Sequence, residues 1–259
     1  MVRIITDNDR LRSQYDELQA GDIIVGRIRL KKSEEHLLLD LKERGLIIFP
    51  SALSQLLSRS KTLQSHIFSH YTLPYTTPVH DRHDLLKVLN EYHKAEIKQV
   101  VSKLDRKNAG LGINLWPSIE DLYNQASLDG LPYPFVIQPY TKGCRDIRVV
   151  VLGEYGEAYY RENSHNFRQN LHCGGSFRAC TLSDRQWQIC RKVMRRGDFP
   201  YAHIDLMVTE EGKTFFTEIN LRGGIRGAVI NAPEYQRRLN DIHEAFIKKK
   251  RKQPELLSL

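Results

Sequence analysis

The sequence predicts a mixed α/β fold, and three of its features support that prediction. Short apolar runs alternate with amphipathic helical patterns through the first part of the chain. From Pro134 onward, apolar runs are joined by glycine turns and pair as antiparallel hairpins. The chain has 259 residues, 41% of them hydrophobic and 27% charged, which is the composition of a globular protein with one domain or two small ones.

The first predicted elements form a small β-α-β unit. Residues 22–27 contain an apolar run and predict a buried strand. The leucine-rich pattern over residues 33–44 predicts a helix that Gly45 ends, and residues 46–50 predict a second strand ended by proline. A unit of this size is too small to be an enzyme alone.

The middle of the chain predicts helices around a pair of strands. Residues 51–69 and 84–93 have helical patterns, separated by a proline-punctuated extended connector at residues 71–78. The apolar run 100–104 leads into a glycine loop, after which residues 113–116 resume extended character. We therefore expect a strand, a glycine loop and a second strand in this order.

The second half predicts a sheet and one helix. The predicted strands are residues 135–138, 146–152, 157–161, 202–208 and 214–220. A good turn at residues 153–156 makes the second and third of these a hairpin. The helix is expected over residues 183–196, with Ser183 as its N-cap.

The charge balance indicates an anionic partner. Lys and Arg number 39 against 31 acidic residues, which gives a formal net charge of +8. Nucleotides, acidic metabolites, nucleic acids and anionic membranes all fit this sign. Part of the excess is the basic run 248–252, which we interpret as a solvated tail.

The sequence also predicts a cytoplasmic protein without a membrane segment. No stretch approaches the roughly 20 apolar residues that span a bilayer, and residues 1–5 are followed at once by polar residues rather than by a signal-peptide core. The four cysteines (Cys144, Cys173, Cys180 and Cys190) match neither a zinc site nor a dense disulfide framework, so we expect free thiols.

The strongest local signal for chemistry is a group of oxygen donors on two predicted strands. Asp205 lies on the first strand, and Glu218 and Asn220 lie on the second. Because strand residues two apart point the same way, all three side chains can share one face. Such donors suit one or two Mg²⁺ ions. The alternative is that they are polar outward positions of an amphipathic hairpin.

A lysine before a glycine loop is a weaker signal. Lys103 ends an apolar strand before Gly110 and Gly112, where a flexible backbone lets N–H groups approach phosphate oxygens. The segment is neither a Walker A sequence nor a Rossmann turn. Taken alone, it does not distinguish a phosphate site from a structural turn.

Basic residues form a third cluster. Arg145, Arg148 and Arg161 fall on the predicted hairpin, where Arg148 and Arg161 can face one cleft, and Arg168 and Asn170 follow. Guanidinium groups bind phosphate and carboxylate in a bidentate manner. The alternative is a set of scattered surface arginines.

The order of these motifs resembles that of the ATP-grasp superfamily, and within it the branch of ribosomal protein S6 glutamate ligase and related amino-acid ligases (RimK-like). The shared order is a strand-borne lysine, a glycine loop, a hinge strand, an Asp-Ile-Arg strand, an Asp strand and a Glu-x-Asn strand. Its most specific parts are Phe-Arg-Gln-Asn-Leu-His-Cys-Gly-Gly at residues 167–175 and Glu-Ile-Asn at residues 218–220. The resemblance covers residues 58–227.

This resemblance implies two α/β lobes that clasp ATP, and it implies a role for particular residues. The implied nucleotide-binding residues are Lys61, Lys103, Gly110, Gly112, Gln138, Pro139, Tyr140, Asp146, Arg168 and Asn170. Of these, Gln138-Pro139-Tyr140 corresponds to the hinge that holds adenine, with proline where relatives usually have glutamate. The implied metal ligands are Asp205, Glu218 and Asn220, for Mg²⁺ or Mn²⁺ with two ions expected. The implied catalytic residues are Arg148, Arg161 and Arg168.

The resemblance also implies a domain organisation. The expected parts are a short N-terminal pre-ATP-grasp unit at residues 1–57, a first lobe at 58–133, a second lobe with the metal site at 134–240, and a basic helix or tail at 241–259. Because the N-terminal unit is shorter than in relatives, we expect part of the acceptor surface to be absent or to come from a second copy of the chain or a partner protein.

The implied activity is ATP- and Mg²⁺-dependent ligation of a carboxylate to an amine through an acyl phosphate. Arg222 and Arg226 lie where relatives often have a Ser-Pro-Gly type loop, and they favour an acidic or phosphorylated small molecule or peptide as substrate. Two alternatives stay open: an ATP-dependent phosphotransferase on the same fold, and a nucleotide-binding or nucleic-acid-associated protein without ligase activity. Nucleic acid is the less expected partner, because the tail has no aromatic residue for base stacking after Phe246.

Overall fold

In the computed structural model, which describes residues 2–107, 110–163 and 175–252, three β-sheets follow one another along the chain and helices pack against them. Each sheet has its own cluster of buried apolar side chains. The mixed α/β fold class predicted from the sequence is therefore confirmed.

The N-terminal sheet is parallel. Its strands are β1 (Ile4–Ile5), β2 (Ile23–Val25) and β3 (Ile47–Phe49), and its helices are α1 (Asn8–Ser13) and α2 (His36–Glu43). The predicted β-α-β unit is confirmed, because α2 connects the parallel neighbours β2 and β3. Gly45 follows α2 at a φ of +80° and donates its N–H to the carbonyl of Lys42, so it ends the helix as expected.

The second sheet is antiparallel, with the strand order β4, β7, β5 and β6. Its strands are β4 (Thr77–Val79), β5 (Val100–Leu104), β6 (Ile113–Trp116) and β7 (Phe135–Pro139). The predicted strand, glycine loop and strand form the hairpin of β5 and β6. Strand β4 overlaps the end of the predicted extended connector and accommodates Pro78 because it is an edge strand.

Four helices accompany the second sheet or lead into it. They are α3 (Ala52–Leu57), α4 (Lys61–Ile67), α5 (Arg82–Lys94) and α6 (Ile119–Ser127). The helical pattern at residues 51–69 is thus two helices rather than one. The break falls at Ser60, whose hydroxyl accepts the N–H of Leu63 at 3.1 Å and begins α4 as its N-cap.

The third sheet carries the largest core, in the strand order β10, β9, β8, β11 and β12. Its strands are β8 (Arg145–Leu152), β9 (Tyr155–Glu162), β10 (Ser176–Cys180), β11 (Tyr201–Val208) and β12 (Thr214–Asn220). Both predicted hairpins are confirmed. Helix α7 (Asp184–Gly197) begins at Ser183 through a reciprocal capping box with Gln186, as the sequence predicts for its N-cap.

A final helix, α8 (Ala232–Lys252), runs through the expected boundary between residues 240 and 241. It also includes the basic run 248–252, whose side chains are mostly exposed. Phe246 of α8 stacks on Phe49 of β3 with ring centroids 4.0 Å apart. Helix α8 therefore joins the N-terminal sheet to the third sheet, with contacts to β2 and β8.

The three cysteines that the structure describes meet the expectation of free thiols. Cys144, Cys180 and Cys190 are free thiols, while Cys173 lies outside the described residues. Along the described ranges, no helix combines the length and the apolar character that crossing a membrane requires.

Candidate active site

Strands β11 and β12 bring the predicted metal ligands together on the third sheet. Asp205 is the cross-strand partner of Glu218, and His203 is the cross-strand partner of Asn220. Because Glu218 and Asn220 are two residues apart, both lie on the face that carries Asp205. This shared face is what the strand alternation predicts.

Two arginines from the neighbouring hairpin hold Asp205. Arg148 donates Nε to Oδ1 and Nη2 to Oδ2, the latter at 3.0 Å. Arg161 places Nη2 at 2.9 Å from Oδ2 of Asp205, and its Nε donates to Asp146 at 2.5 Å. Since Asp146 and Arg161 are cross-strand partners, Arg148 and Arg161 face the same side of the hairpin, as predicted.

Burial and the two arginines act in opposite directions on the pKa values of Asp205 and Asp146. Burial opposes the ionisation of Asp205, whose side chain is 10% exposed, but Arg148 and Arg161 outweigh it and lower its pKa to about 2. Burial raises the pKa of Asp146 despite the attraction of Arg161, and the neighbouring Asp205 raises it further. Asp205 is therefore firmly ionised, and Asp146 is the carboxyl that resists ionisation.

Glu218 has weaker partners than Asp205. Lys61, the first residue of α4, lies 3.4 Å from Oε1 of Glu218 and donates at 2.7 Å to the carbonyl of Lys107. Asn220 donates Nδ2 to the same Oε1 at 3.0 Å, so its carbonyl oxygen is directed away from that contact. Lys61 thus bridges the glycine-loop side of the second sheet to the acidic face of the third.

A cleft between the second and third sheets contains both predicted nucleotide lysines. Lys61 and Lys103 line it, together with Gln138 of β7, Met207 of β11 and Phe216 of β12. Burial lowers the pKa of Lys103 to about 8, against the attraction of Glu218. Among the residues that the structure describes, Lys103 forms no ion pair, so an anion that enters the cleft would replace the hydration that its ammonium group loses.

The predicted hinge reaches the same cleft through Gln138, whereas Gly110 and Gly112 are not among the described residues that line it. Gln138 lines it, and Pro139 and Tyr140 follow directly at the end of β7, where the Tyr140 N–H donates to the backbone carbonyl of Gln99 at 2.9 Å. Gly110 and Gly112 both have a φ of +77° in the turn between β5 and β6.

The glycine at position 112 has a structural reason of its own. A Cβ there would lie 2.8 Å from the Cβ of Leu104, so the hairpin turn itself requires glycine. Two other predicted site residues, Arg168 and Asn170, lie outside the described residues. Arg145 belongs to a different face, where its guanidinium stacks on the ring of Tyr160 at 5.4 Å.

The sequence reasoning misses His203 as a component of the site. His203 is buried, and its Nε2 lies 2.9 Å from the hydroxyl of Tyr235. Burial lowers the pKa of His203 to about 3, and Arg148 lowers it further, so the imidazole is neutral. Strand alternation could have identified it, because His203 lies two residues before Asp205 on the same strand and its side chain therefore lies on the same face of the sheet.

The loop after β12 packs closely against the side chains of Arg148 and His203. A Cβ at Gly223 would lie 2.7 Å from Nη1 of Arg148 and 2.8 Å from the His203 ring. Only a glycine allows the backbone to approach both side chains. The loop therefore limits the positions that the Arg148 guanidinium group can take.

The donor set fits a hard divalent cation. Two carboxylates and one amide oxygen lie on one face, and Mg²⁺ takes oxygen ligands of this kind while keeping several waters. In the described ranges, no three His, Cys, Asp or Glu side chains are grouped to hold a metal. A cation at this face would therefore rely on Asp205, Glu218 and the amide oxygen of Asn220, completed by water and phosphate.

The cleft that Lys61 and Lys103 line lies beside the acidic face, because Lys61 also contacts Glu218. The chain belongs to the RimK-like ATP-grasp domain family, whose sequence profile matches residues 54–232. This confirms the resemblance found in the sequence.

Curated relatives of the chain are glutamate ligases by name. It is 28% identical over 160 residues to the ribosomal protein bS6–L-glutamate ligase of Escherichia fergusonii, a match that covers 60% of this chain and 52% of the relative. It is 24% identical over 219 residues to a probable alpha-L-glutamate ligase of Trichodesmium erythraeum, covering 81% of this chain and 72% of the relative. The chain spans about half the length of the S6-type relatives that it matches.

Solved structures with the same fold are more distant in sequence. The D-alanine-D-alanine ligase from Coxiella burnetii superposes with a TM-score of 0.61 at 16% identity, over 92% of this chain and 72% of that one. A RiPP-associated ATP-grasp ligase from Chryseobacterium gregarium, solved with ADP and a leader and core peptide, gives a TM-score of 0.60 at 14% identity, over 96% of this chain and 97% of that one. At these identities, the likeness establishes the fold.

Proposed function

We propose that this chain is an ATP- and Mg²⁺-dependent ligase that joins a carboxylate to an amine through an acyl phosphate. The observation that carries the proposal is an acidic sheet face that Lys61, Arg148 and Arg161 contact, beside a cleft that Lys61 and Lys103 line. A site that must hold a nucleoside triphosphate and an oxyanion side by side needs this density of cations.

In the first step, a carboxylate oxygen of one substrate attacks the γ-phosphorus of ATP, and ADP leaves. We assign Lys61 and Lys103 to the phosphates, since both line the cleft. Asp205, Glu218 and Asn220 would hold Mg²⁺, which supplies charge neutralisation at the phosphates when bound. Gln138, Pro139 and Tyr140 are assigned to the adenine side by their position at the end of β7.

In the second step, the amine attacks the acyl carbon, inorganic phosphate leaves, and the amine loses a proton. Negative charge develops on the acyl oxygen. Arg148 uses Nε and Nη2 for Asp205, which leaves Nη1 to donate toward that charge. Arg161, paired with Asp205 and Asp146, keeps its own charge fixed beside it. A cytoplasmic location is part of the proposal and fits the free thiols.

The test is ADP release from ATP and Mg²⁺ with pooled carboxylates, with and without pooled amines, using Glu218→Gln as the blank. A requirement for both pools is the result expected of a ligase. ADP formed with carboxylates or hydroxyl compounds alone would identify a phosphotransferase instead. No ADP above the blank with any pool or with peptide substrates would contradict catalysis by the isolated chain.

A further inference from the structure

Two hydrogen bonds of the same kind join strand β11 to helix α8. His203 of β11 places Nε2 2.9 Å from Oη of Tyr235 on α8, and Tyr201 of β11 places Oη 3.1 Å from Nε2 of His243 on α8. The ring centroids are 5.5 Å apart in the first pair and 5.6 Å apart in the second. Both pairs therefore hold the same helix on the same strand, and the His203 pair is the one beside Asp205.

The second ring nitrogen of His203 is unused. The side chain is 1% exposed, and its Nδ1 is buried without a hydrogen-bond partner among the residues that the structure describes. A buried polar atom without a partner costs free energy, so its presence calls for an explanation. That explanation depends on which side chain lies beside Nδ1.

Nδ1 of His203 lies beside the guanidinium group of Arg148. A Cβ at Gly223 would lie 2.8 Å from Nδ1 of His203 and 2.7 Å from Nη1 of Arg148, so both nitrogens border the same point of the loop after β12. Arg148 uses Nε and Nη2 for Asp205. Within the described ranges, Nη1 has no acceptor. An unpaired imidazole nitrogen and an unpaired N–H donor are therefore neighbours at this loop.

The guanidinium group determines which nitrogen of His203 carries the proton. A neutral imidazole has one N–H group and one lone pair. A lone pair that faces a cation is favoured electrostatically over an N–H group that faces it. Nδ1 is therefore the acceptor, and Nε2–H donates to the Tyr235 hydroxyl. The hydrogen bond to Tyr235 in turn fixes this tautomer and the orientation of the ring.

We propose that His203 is a positioning residue for Arg148, with Nδ1 as a second acceptor that keeps the guanidinium group in place. This inference rests on the proposed function, in which Nη1 donates to the acyl oxygen. Because Nη1 carries two N–H groups, one can donate to His203 while the other stays available for that oxygen. Asp205 is also assigned to the cation, so this second contact holds Arg148 independently of Asp205.

The first experiment determines the tautomer of His203 by ¹⁵N NMR of the histidine rings in the full chain without nucleotide. The His203 signals are those that disappear in His203→Asn. We expect Nε2 to carry the proton in the unaltered protein. In Tyr235→Phe the Nε2–H group loses its acceptor, so these signals should shift, whereas Tyr201→Phe should leave them in place. A proton on Nδ1 in the unaltered protein would overturn the proposal.

The second experiment compares Tyr235→Phe with Tyr201→Phe, its matched control. Each variant removes one hydroxyl group from a Tyr–His hydrogen bond between β11 and α8, so both should lower Tm to a similar extent. In ADP release with the carboxylate and amine pools, Tyr235→Phe should lower kcat roughly tenfold and change the KM for ATP less than about twofold. Tyr201→Phe should leave kcat unchanged. Equal kcat values in the two variants would show that the His203 pair is merely structural.

Two substitutions at His203 separate the roles of its nitrogens. Asparagine places an amide oxygen near the position of Nδ1, whereas glutamine reaches the position of Nε2 and leaves nothing beside Arg148. His203→Asn should therefore retain a kcat at least about tenfold higher than that of His203→Gln. The opposite order, or equal values, would contradict the proposal. Failure of the proposed function is distinguishable, because the unaltered protein would then release no ADP, while the tautomer measurement needs no turnover.

Discussion

Replacing Lys103 by methionine is expected to stabilise the ligand-free protein and to weaken nucleotide binding. Burial lowers the pKa of Lys103 from its ordinary value of 10.5 to about 8. At 1.36 kcal/mol for each pKa unit, this difference corresponds to about 3 kcal/mol of stability lost to the buried charge. Methionine fills a similar volume without a charge, so it should recover most of that loss.

The stabilisation has a defined pH dependence. Between pH 8 and 10.5 the unfolded chain binds a proton at Lys103 that the folded chain has released, so the stability of the unaltered protein rises with pH in that window. The advantage of Lys103→Met should therefore be about 3 kcal/mol at pH 7 and should fall below about 1 kcal/mol at pH 10. Urea denaturation of both proteins at the two pH values measures this difference.

Lys192→Met is the control, because Lys192 is exposed on α7 and its replacement removes the same charge. This variant should change stability by less than about 0.5 kcal/mol at either pH. The affinity for ADP should fall at least tenfold in Lys103→Met and stay unchanged in Lys192→Met. The reasoning is refuted if Lys103→Met is less stable than the unaltered protein at pH 7, or if its advantage does not shrink at high pH.

Four further outcomes are expected. Glu218→Gln should lower ADP release at least a hundredfold with an unchanged circular dichroism spectrum, and retained ADP release would exclude Glu218 as a metal ligand. Asp205→Asn should lower the free energy of unfolding, measured by urea denaturation, by about 3–5 kcal/mol, because Arg148 and Arg161 lose their buried counter-charge. A loss below about 1 kcal/mol would contradict the assignment of these ion pairs. Gly223→Ala should lower kcat by displacing Arg148, and unchanged kinetics would show that the loop adapts. Truncation after Ile247 should leave ADP release unaltered, whereas a loss beyond tenfold would show that the basic turns of α8 complete the site.

The predictable part of the fold is the part with local signals. The hairpin of β8 and β9 follows from alternation and a glycine turn, and α7 from its capping serine. Strand β10 lacks such a signal, because four of its five side chains are exposed. Helix α8 has one, since the half-buried residues Tyr235, Leu239, Ile242 and Phe246 recur at helical spacing, but the sequence reasoning used only its basic end.

The site is predictable only where its residues lie close in sequence. Alternation along β12 puts Glu218 and Asn220 on one face, and the same rule could have added His203 through Asp205. The contact between Lys61 and Glu218 joins residues 157 positions apart. No local pattern contains it, and the resemblance to a family assigned Lys61 to the nucleotide without indicating its carboxylate partner.

The two carboxylates of the site differ in how readily each can exchange its partners. Asp205 is 10% exposed and is held by two guanidinium groups, so a new partner must displace at least one buried, charge-assisted hydrogen bond. Glu218 is 24% exposed and meets one ammonium group at 3.4 Å and one amide. Reorienting Glu218 therefore costs less than reorienting Asp205. We therefore expect Glu218 to turn from Lys61 to the cation first when nucleotide and Mg²⁺ enter. Asp205 should give up one of its guanidinium hydrogen bonds only when it takes its own place at the cation.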